Sequence, residues 1–406
     1  MTIDTIPAPQ NALGQFRALV MADEALADSL SRTFDAEDFA GLAMSAAGRH
    51  GIALAADTIK AEVRPDPLGL TRWAAAPESG SASASTWPPR HWLPIHVIAH
   101  GRQIFVDWAN FGSQPLTAPF FEDDMRRARS LPFNRLFGYR MTLGDFLKGA
   151  ADAQSLQPAG FIFHMSRCGS TLVSQMLAAL PRNIAISEAA PIDAAVQICR
   201  TSPDLPAKQQ DELLAAMIAA YGRQRAGCER HYFIKLDCWH ALALPLFRRA
   251  FPKVPWVFLY RDPVEVMVSQ LRELGSQMVP EIVPPSLYGI DNFDAMPSEE
   301  YAARVLAKIC RMALENIGGS GGLAVNYREL PQAIWTRILP HFGIAFDAVD
   351  RELMNAAARN DAKAPHFAFS NDSDAKQRQA SGSIRALAER HLGEVYRQLE
   401  DLRNLT

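Results

Sequence analysis

Apolar residues along this chain recur in two rhythms, and the change from one to the other predicts where helices give way to strands. Between Asn11 and Val63, Phe16, Leu19 and Val20 are followed by Leu26 and Leu30, by Phe39, Leu42, Ala43 and Ala46, and by Ile52 and Ile59. These positions stand at helical intervals with short breaks, which predicts a small helical bundle over residues 1–65. Asp35 is placed to cap the third helix and His50-Gly51 to end it. Residues 77–86, PESGSASAST, have the composition of a flexible linker. After them, strand-like WLPIHVIAH and QIFVDWANFG stand beside helical EDDMRRARSL, so 87–150 reads as a small α+β segment. Its aromatics Trp87, Trp92, Phe105, Trp108, Phe111, Phe120 and Phe121 predict a core of its own.

From residue 155 to 406 the pattern is different. Short, largely apolar runs, Phe161-Ile162-Phe163, Ile184-Ala185-Ile186, Tyr232 to Asp237 with Lys235 inside it, Pro255 to Tyr260 and Leu323 to Val325, read as strands. A run apolar on both faces suits a strand of a covered parallel sheet. Leu172, Val173, Met176, Leu177 and Leu180 recur at helical spacing until Pro181, and VEVMVSQLREL is an amphipathic helix after the fourth strand.

Composition narrows the function classes. A chain of 406 residues has room for two or three domains, and 48% hydrophobic content supplies large cores. The net charge of −3 offers no broad basic field for nucleic acid. No run approaches the ~18 uninterrupted apolar residues of a membrane span, and the acidic N-terminus lacks the positively flanked apolar core of a signal peptide. The five cysteines are odd in number and form no CxxC pair. Neither a zinc cluster nor a disulfide framework is expected, and the thiols read as reduced and intracellular.

The segment Gly160 to Val173, GFIFHMSRCGSTLV, carries the most chemistry: a strand, a small polar loop and the start of a helix. In the loop Ser166-Arg167-Cys168-Gly169-Ser170-Thr171, Gly169 lets the backbone approach a ligand, and the first helical N–H groups point at an anion. Ser170 and Thr171 add hydroxyl donors, and Arg167 adds a positive fork. Aligning Thr171 with the end of GxxxxGK[ST] puts Ser170 where the lysine belongs and His164 where the first glycine belongs, which disfavours an ATP or GTP loop. Cys168, beside Arg167, is open to a lowered pKa, although a small space-filling role suits it better. A second strand-turn-helix joins Tyr260 to Arg261-Asp262-Pro263, with Asp262 placed as cap, Pro263 in the first turn and Ser269 two turns on.

These two segments resemble those of the sulfotransferase family. In that family the first loop binds the 5'-phosphosulfate end of 3'-phosphoadenosine 5'-phosphosulfate (PAPS), and an Arg and Ser spaced like Arg261 and Ser269 hold its 3'-phosphate. The resemblance covers roughly residues 155–406. It implies an α/β fold with a three-layer, P-loop-type core and a central parallel sheet, preceded by the helical module and the α+β segment. It also implies PAPS as donor, with Arg167, Cys168, Gly169, Ser170, Thr171, Arg261 and Ser269 binding it, and no metal. Many cytosolic members have lysine where Arg167 stands. Lys235 matches a family lysine close to the transferring group, and Leu323 to Leu330 resembles the late strand and acidic turn of the fold.

For the general base two carboxylates compete. Glu188, delivered by the strand Ile184 to Ile186, matches the base of tyrosylprotein and several bacterial sulfotransferases, or else it caps the helix starting near Pro191. Asp237 lies two residues after Lys235, where cytosolic members have a catalytic histidine. Either takes the acceptor's proton while Arg167 and Lys235 stabilise charge on the departing phosphate. His164 and His240 read as packing or supporting residues. The family's Arg-Lys-Gly near the C-terminus is missing; Lys376 or Arg378 could substitute, or belong to an exposed charge run. The Pro-rich stretch Ser276 to Pro297 reads as a lid over the acceptor or as a disordered excursion.

The N-terminal strings FRALVMADEALADSL and FDAEDFAGLAMSAAGRHGIAL resemble the Nif11-like leader domain of bacterial peptide natural-product precursors. That resemblance implies a docking module for a peptide or protein partner, with a generic helical cap as the alternative. The expected protein is a cytoplasmic, PAPS-dependent sulfotransferase acting on a small-molecule or peptide hydroxyl or amine. The competing readings are a P-loop kinase-like phosphotransferase and a non-catalytic peptide-binding scaffold.

Overall fold

In a computed structural model of the chain, the described residues are 12–65, 86–101, 103–202, 204–318, 321–363 and 372–405. Most of the expected linker, 77–85, lies outside them. The chain divides into two compact units: residues 1–114, 122–155 and 216–227 form one, and 115–121, 156–215 and 228–406 form the other.

The first unit joins the N-terminal helices to a three-stranded antiparallel sheet of β1 (Trp92–His100), β2 (Gln103–Asn110) and β3 (Tyr139–Thr142), in that order. Helices run over Ala12–Ala22, Glu24–Ser31, Ala36–Arg49 and Ala56–Glu62. Asp23 caps the second through Leu26 N–H, and Asp35 caps the third through Glu37 and Asp38 N–H. Their apolar faces meet the aromatics that follow β2. Phe16 lies 5.9 Å from Phe137, and Tyr139 Oη donates to Met21 O at 3.1 Å. Arg17 Nε donates to Leu136 O at 3.0 Å. The helices therefore share a core with the sheet segment, a long-range consequence that periodicity alone does not reveal.

The second unit is built on a five-stranded parallel sheet of β4 (Gly160–His164), β5 (Asn183–Ser187), β6 (His231–Lys235), β7 (Trp256–Tyr260) and β8 (Gly322–Asn326). The strand order is β5-β6-β4-β7-β8. All five are buried along nearly their whole length, as their largely apolar composition requires. The expected α/β class with a central parallel sheet is what forms. Because β4 sits between β6 and β7, the chain leaves it toward one edge and later returns to its other side. That reversal opens a crevice at the carboxyl ends of β4, β6 and β7. No helix among the described residues is long and apolar enough to cross a membrane.

Candidate active site

A cavity of about 740 Å³ lies at that carboxyl end of the sheet, wholly within the second unit. Arg167, Cys168, Gly169, Ser170, Thr171, Arg261 and Ser269 all line it, as do Glu188 and Asp237. Of the expected site residues, Lys235 alone is not on its wall.

The loop after β4 is shaped by its backbone. Ser166, Arg167 and Gly169 have φ of 79°, 53° and 84°, which folds the loop tightly over the start of the next helix. Two of these are not glycine, and each costs of order 1–3 kcal/mol that the surroundings must offset. Ser166 N–H donates to His164 Nδ1 at 3.0 Å, and Gln270 Nε2 donates to Ser166 Oγ at 2.9 Å. Gly169 cannot be replaced without cost, because a Cβ there would lie 2.7 Å from Leu330 Cδ1 and 2.9 Å from Tyr327 Cδ2. The helix Ser170–Ala178 begins directly after it. Cys168 is buried and its thiol donates to Leu259 O at 3.1 Å; burial pushes its pKa up to about 12. That corrects the option of an activated thiol left open by its neighbour Arg167. Arg167 itself bonds Glu273 through Oε2 at 3.0 Å and the carbonyl at 2.8 Å.

The second candidate anion corner follows β7. Asp262 accepts from Val264 and Glu265 N–H and Pro263 takes the first turn, so the helix Pro263–Arg272 starts as its sequence requires. Arg261 is buried beneath it, 4.0 Å over the Tyr327 ring. Its Nε donates to Glu265 Oε2 at 2.6 Å, and its Nη2 to Asp372 Oδ1 at 2.8 Å and Ser373 Oγ at 3.0 Å. Lys376 is buried, lines the cavity and pairs with Asp372 Oδ2 at 2.7 Å. Of the two cations considered for the missing Arg-Lys-Gly, Lys376 is thus at this corner, whereas Arg378 does not line the cavity.

Glu188 directly follows β5. Its φ is 53°, and the helix Ala190–Thr201 is capped by Ala189 with no side-chain bond, so Glu188 is not the cap. Its carboxylate instead pairs with the fully buried Lys235 Nζ and stands 3.3 Å from His164 Nε2. Burial raises its pKa, but the Lys235 charge and His164 outweigh that and hold it down to about 2. Lys235 also reaches Ser187 Oγ at 3.5 Å and lies 5.2 Å from the Phe120 ring centre. Asp237 behaves oppositely: burial, then the nearby Glu188 charge, push it up to about 7. The two carboxylates thus differ in protonation although both face one cavity.

Behind Asp237, His240 Nε2 lies 2.8 Å from Asp193 Oδ1, and Asp237 N–H donates to His240 Nδ1 at 3.3 Å. Among the described residues, Asp193, Asp237 and His240 bring ligand-type atoms within 4.8 Å of one another. Asp193 Oδ1 is already the acceptor for Trp239 Nε1 and Gln197 Nε2 as well as His240, so these groups serve each other.

Sequence reasoning missed Phe120, Tyr327, Lys363, Glu273 and Asp372, all on the cavity wall. No local pattern marks Phe120, Lys363 or Asp372 for this wall, whereas Glu273 and Tyr327 lie in segments read as the helix carrying Ser269 and the late strand and turn. The stretch Ser276 to Pro297 contributes Ser276 and Gln277 to the wall, and three short 3₁₀ turns with buried Met278, Val283, Tyr288 and Ile290 order it. It is a packed excursion, not a disordered one.

An α/β unit with a strand-loop-helix at its topological switch point is an arrangement suited to binding an anion. Residues 158–348 match the model of the sulfotransferase family. That match, over a little under half of the chain, supports sulfotransfer as the class of activity. Solved sulfotransferase structures are similar to the chain at low identity. The sulfotransferase domain of the Synechococcus PCC 7002 olefin synthase is 19% identical, covering 62% of this chain and 96% of its own, with a TM-score of 0.36. The sulfotransferase domain from the curacin biosynthetic pathway is 16% identical, covering 61% and 98%, with a TM-score of 0.37. A sulfotransferase from Alicyclobacillus acidocaldarius is 14% identical, covering 61% and 96%, with a TM-score of 0.36. TM-scores this low leave the family match to bear the weight. No curated protein matches the chain.

Proposed function

We propose that this protein moves the sulfuryl group of PAPS to a hydroxyl or amine of a small acceptor, leaving adenosine 3',5'-bisphosphate. The observation that carries the reading is the meeting, in one cavity, of two separate candidate anion corners and two carboxylates whose pKa values are pushed in opposite directions. A donor with phosphates at both its 5' and 3' ends needs two such corners. The loop Arg167 to Thr171 would hold the phosphosulfate, with Arg167, Ser170, Thr171 and the helix N-terminus directed at its oxygens. Arg261 and Ser269 would hold the 3'-phosphate.

In the transfer, the acceptor heteroatom bonds to sulfur as the bond from sulfur to the bridging phosphate oxygen breaks, and the acceptor loses a proton. Glu188 is the first proton acceptor we assign, being ionised and on the cavity wall. Its partner Lys235 could turn toward the bridging oxygen as Glu188 gains the proton, since the pair then loses its charge attraction. Asp237, basic enough to be half protonated near neutrality, is the alternative. A Walker-type phosphotransfer fits less well because Ser170 stands where the catalytic lysine would be.

The test is radiolabelled PAPS offered with a panel of phenols, alcohols and amines. Label should pass to an acceptor with stoichiometric adenosine 3',5'-bisphosphate, and Arg167→Ala should abolish it. Phosphate transfer from ATP with magnesium, and none from PAPS, would overturn the proposal.

A further inference from the structure

Arg261 and Lys376 share a carboxylate in a way their helix does not need. Asp372 occupies the cap position of the helix Ser373–Gln379, where an aspartate ordinarily accepts backbone N–H bonds. It accepts none there. Instead one oxygen takes Arg261 Nη2 at 2.8 Å and the other takes Lys376 Nζ at 2.7 Å. Both cations are buried and both line the cavity, as Asp372 does. Ser373 Oγ closes the network, accepting from Arg261 and donating to Glu265 Oε2 at 2.9 Å.

From this geometry we infer that Asp372 is an internal competitor for the anion that Arg261 and Lys376 bind, so that occupation of this corner by the donor's 3'-phosphate expels the Asp372 carboxylate. The inference rests on the donor reading above and adds a control of the same site. Charge counting supports it. Arg261 and Lys376 are matched by Glu265 and Asp372, so the corner is neutral as it stands. A phosphate dianion entering with both carboxylates in place would face two negative groups, whereas displacement of Asp372 frees one bond from each cation for phosphate oxygens. Glu265 is fixed on its helix at the buried end of Arg261, while the Asp372 side chain is 44% exposed and has water to move into. The competitor makes the apparent affinity for a 3'-phosphate lower than the intrinsic one by the fraction of molecules in which the corner is open.

The experiment is calorimetry of the full chain and of Asp372→Asn and Asp372→Ala with adenosine 3',5'-bisphosphate and with 5'-AMP, which lacks the 3'-phosphate. Melting curves accompany it to show that the variants are folded. If Asp372 holds the corner in about nine molecules of ten, both variants tighten the bisphosphate roughly tenfold and leave 5'-AMP within about twofold. Unchanged or weaker bisphosphate binding by folded variants, with the parent binding normally, overturns the inference and leaves the donor reading standing. A folded parent that binds neither nucleotide overturns the donor reading and the inference with it. Equal tightening of both nucleotides also overturns the inference, since it would place Asp372's effect away from the 3'-phosphate.

Discussion

Replacing Glu188 by glutamine keeps the shape of the site and removes one charge, and its main physical effect falls on Lys235. The Lys235 ammonium has a fully buried side chain and is held by the Glu188 carboxylate, with Ser187 Oγ at 3.5 Å. Breaking a buried ion pair from one side typically costs about 3–5 kcal/mol, because the remaining charge stays dehydrated. At roughly 2–4 °C per kcal/mol for a unit of this size, the melting temperature should fall by on the order of 10 °C. The acid limb adds a signature. Glu188 has its pKa lowered from 4.5 to about 2, so its contribution is complete above pH 4.5 and disappears as the pH falls toward 2. The parent and Glu188→Gln should therefore converge in stability at the acid end of that window and stay apart at neutrality. Glu188→Gln with Lys235→Met should regain most of the loss, a coupling that a double-mutant cycle isolates. Turnover of the single variant should fall by roughly 100-fold, with donor affinity near that of the parent. A melting temperature within a degree or two of the parent at pH 7 would refute the claim that this pair holds a dehydrated charge. Near-normal turnover in Glu188→Gln beside a collapsed Asp237→Asn would transfer the base to Asp237.

Asp237 carries the opposite sign. Its pKa is raised from 3.8 to about 7, so the folded state is favoured below 3.8, loses stability as the pH rises to 7, and stays penalised above it. Asp237→Asn should gain a few kcal/mol at pH 8 and nothing at pH 3.5, measured by urea unfolding; an equal gain at both would contradict the burial of this carboxylate. Gly169→Ala should lose at least ~1–2 kcal/mol from its left-handed conformation and weaken anion binding, since its Cβ meets Tyr327 and Leu330; parent-like melting and binding would mean the loop relaxes freely. A chain beginning at Thr86 should aggregate or lose its cooperative melt, because removing Phe16 uncovers Phe137; a soluble, cooperatively folding product would show that the helices are dispensable.

The legible parts of this protein were those written in consecutive residues. The strand Phe161 to Phe163, the loop ending at Thr171 and the turn Arg261-Asp262-Pro263 each carry their instructions locally, through apolar runs, glycine and capping. Of the residues read as candidates for the site, Arg167 to Thr171, Arg261, Ser269, Glu188 and Asp237 line one cavity, and their role there is the proposal. What stayed hidden depends on segments distant along the chain. Phe120 reaches the Lys235 end of the cavity from a stretch that reads as part of the preceding α+β segment. Asp372 meets Arg261 across 111 positions, and an aspartate ahead of a helix looks like an ordinary cap until its carboxylate is seen turned away. Likewise the left-handed conformations of Ser166, Arg167 and Glu188 follow from the packing around them, as none is a glycine.

The central claim, that the second corner reads a 3'-phosphate, is tested most directly by calorimetric titration of the parent and of Arg261→Ala/Ser269→Ala with adenosine 3',5'-bisphosphate and 5'-AMP. Loss of a charge-assisted bond and a neutral one to a phosphate held out of water should cost the double variant about 2–4 kcal/mol in bisphosphate affinity and far less for 5'-AMP. Equal losses for the two nucleotides, or a folded parent that fails to bind the bisphosphate, would contradict the account.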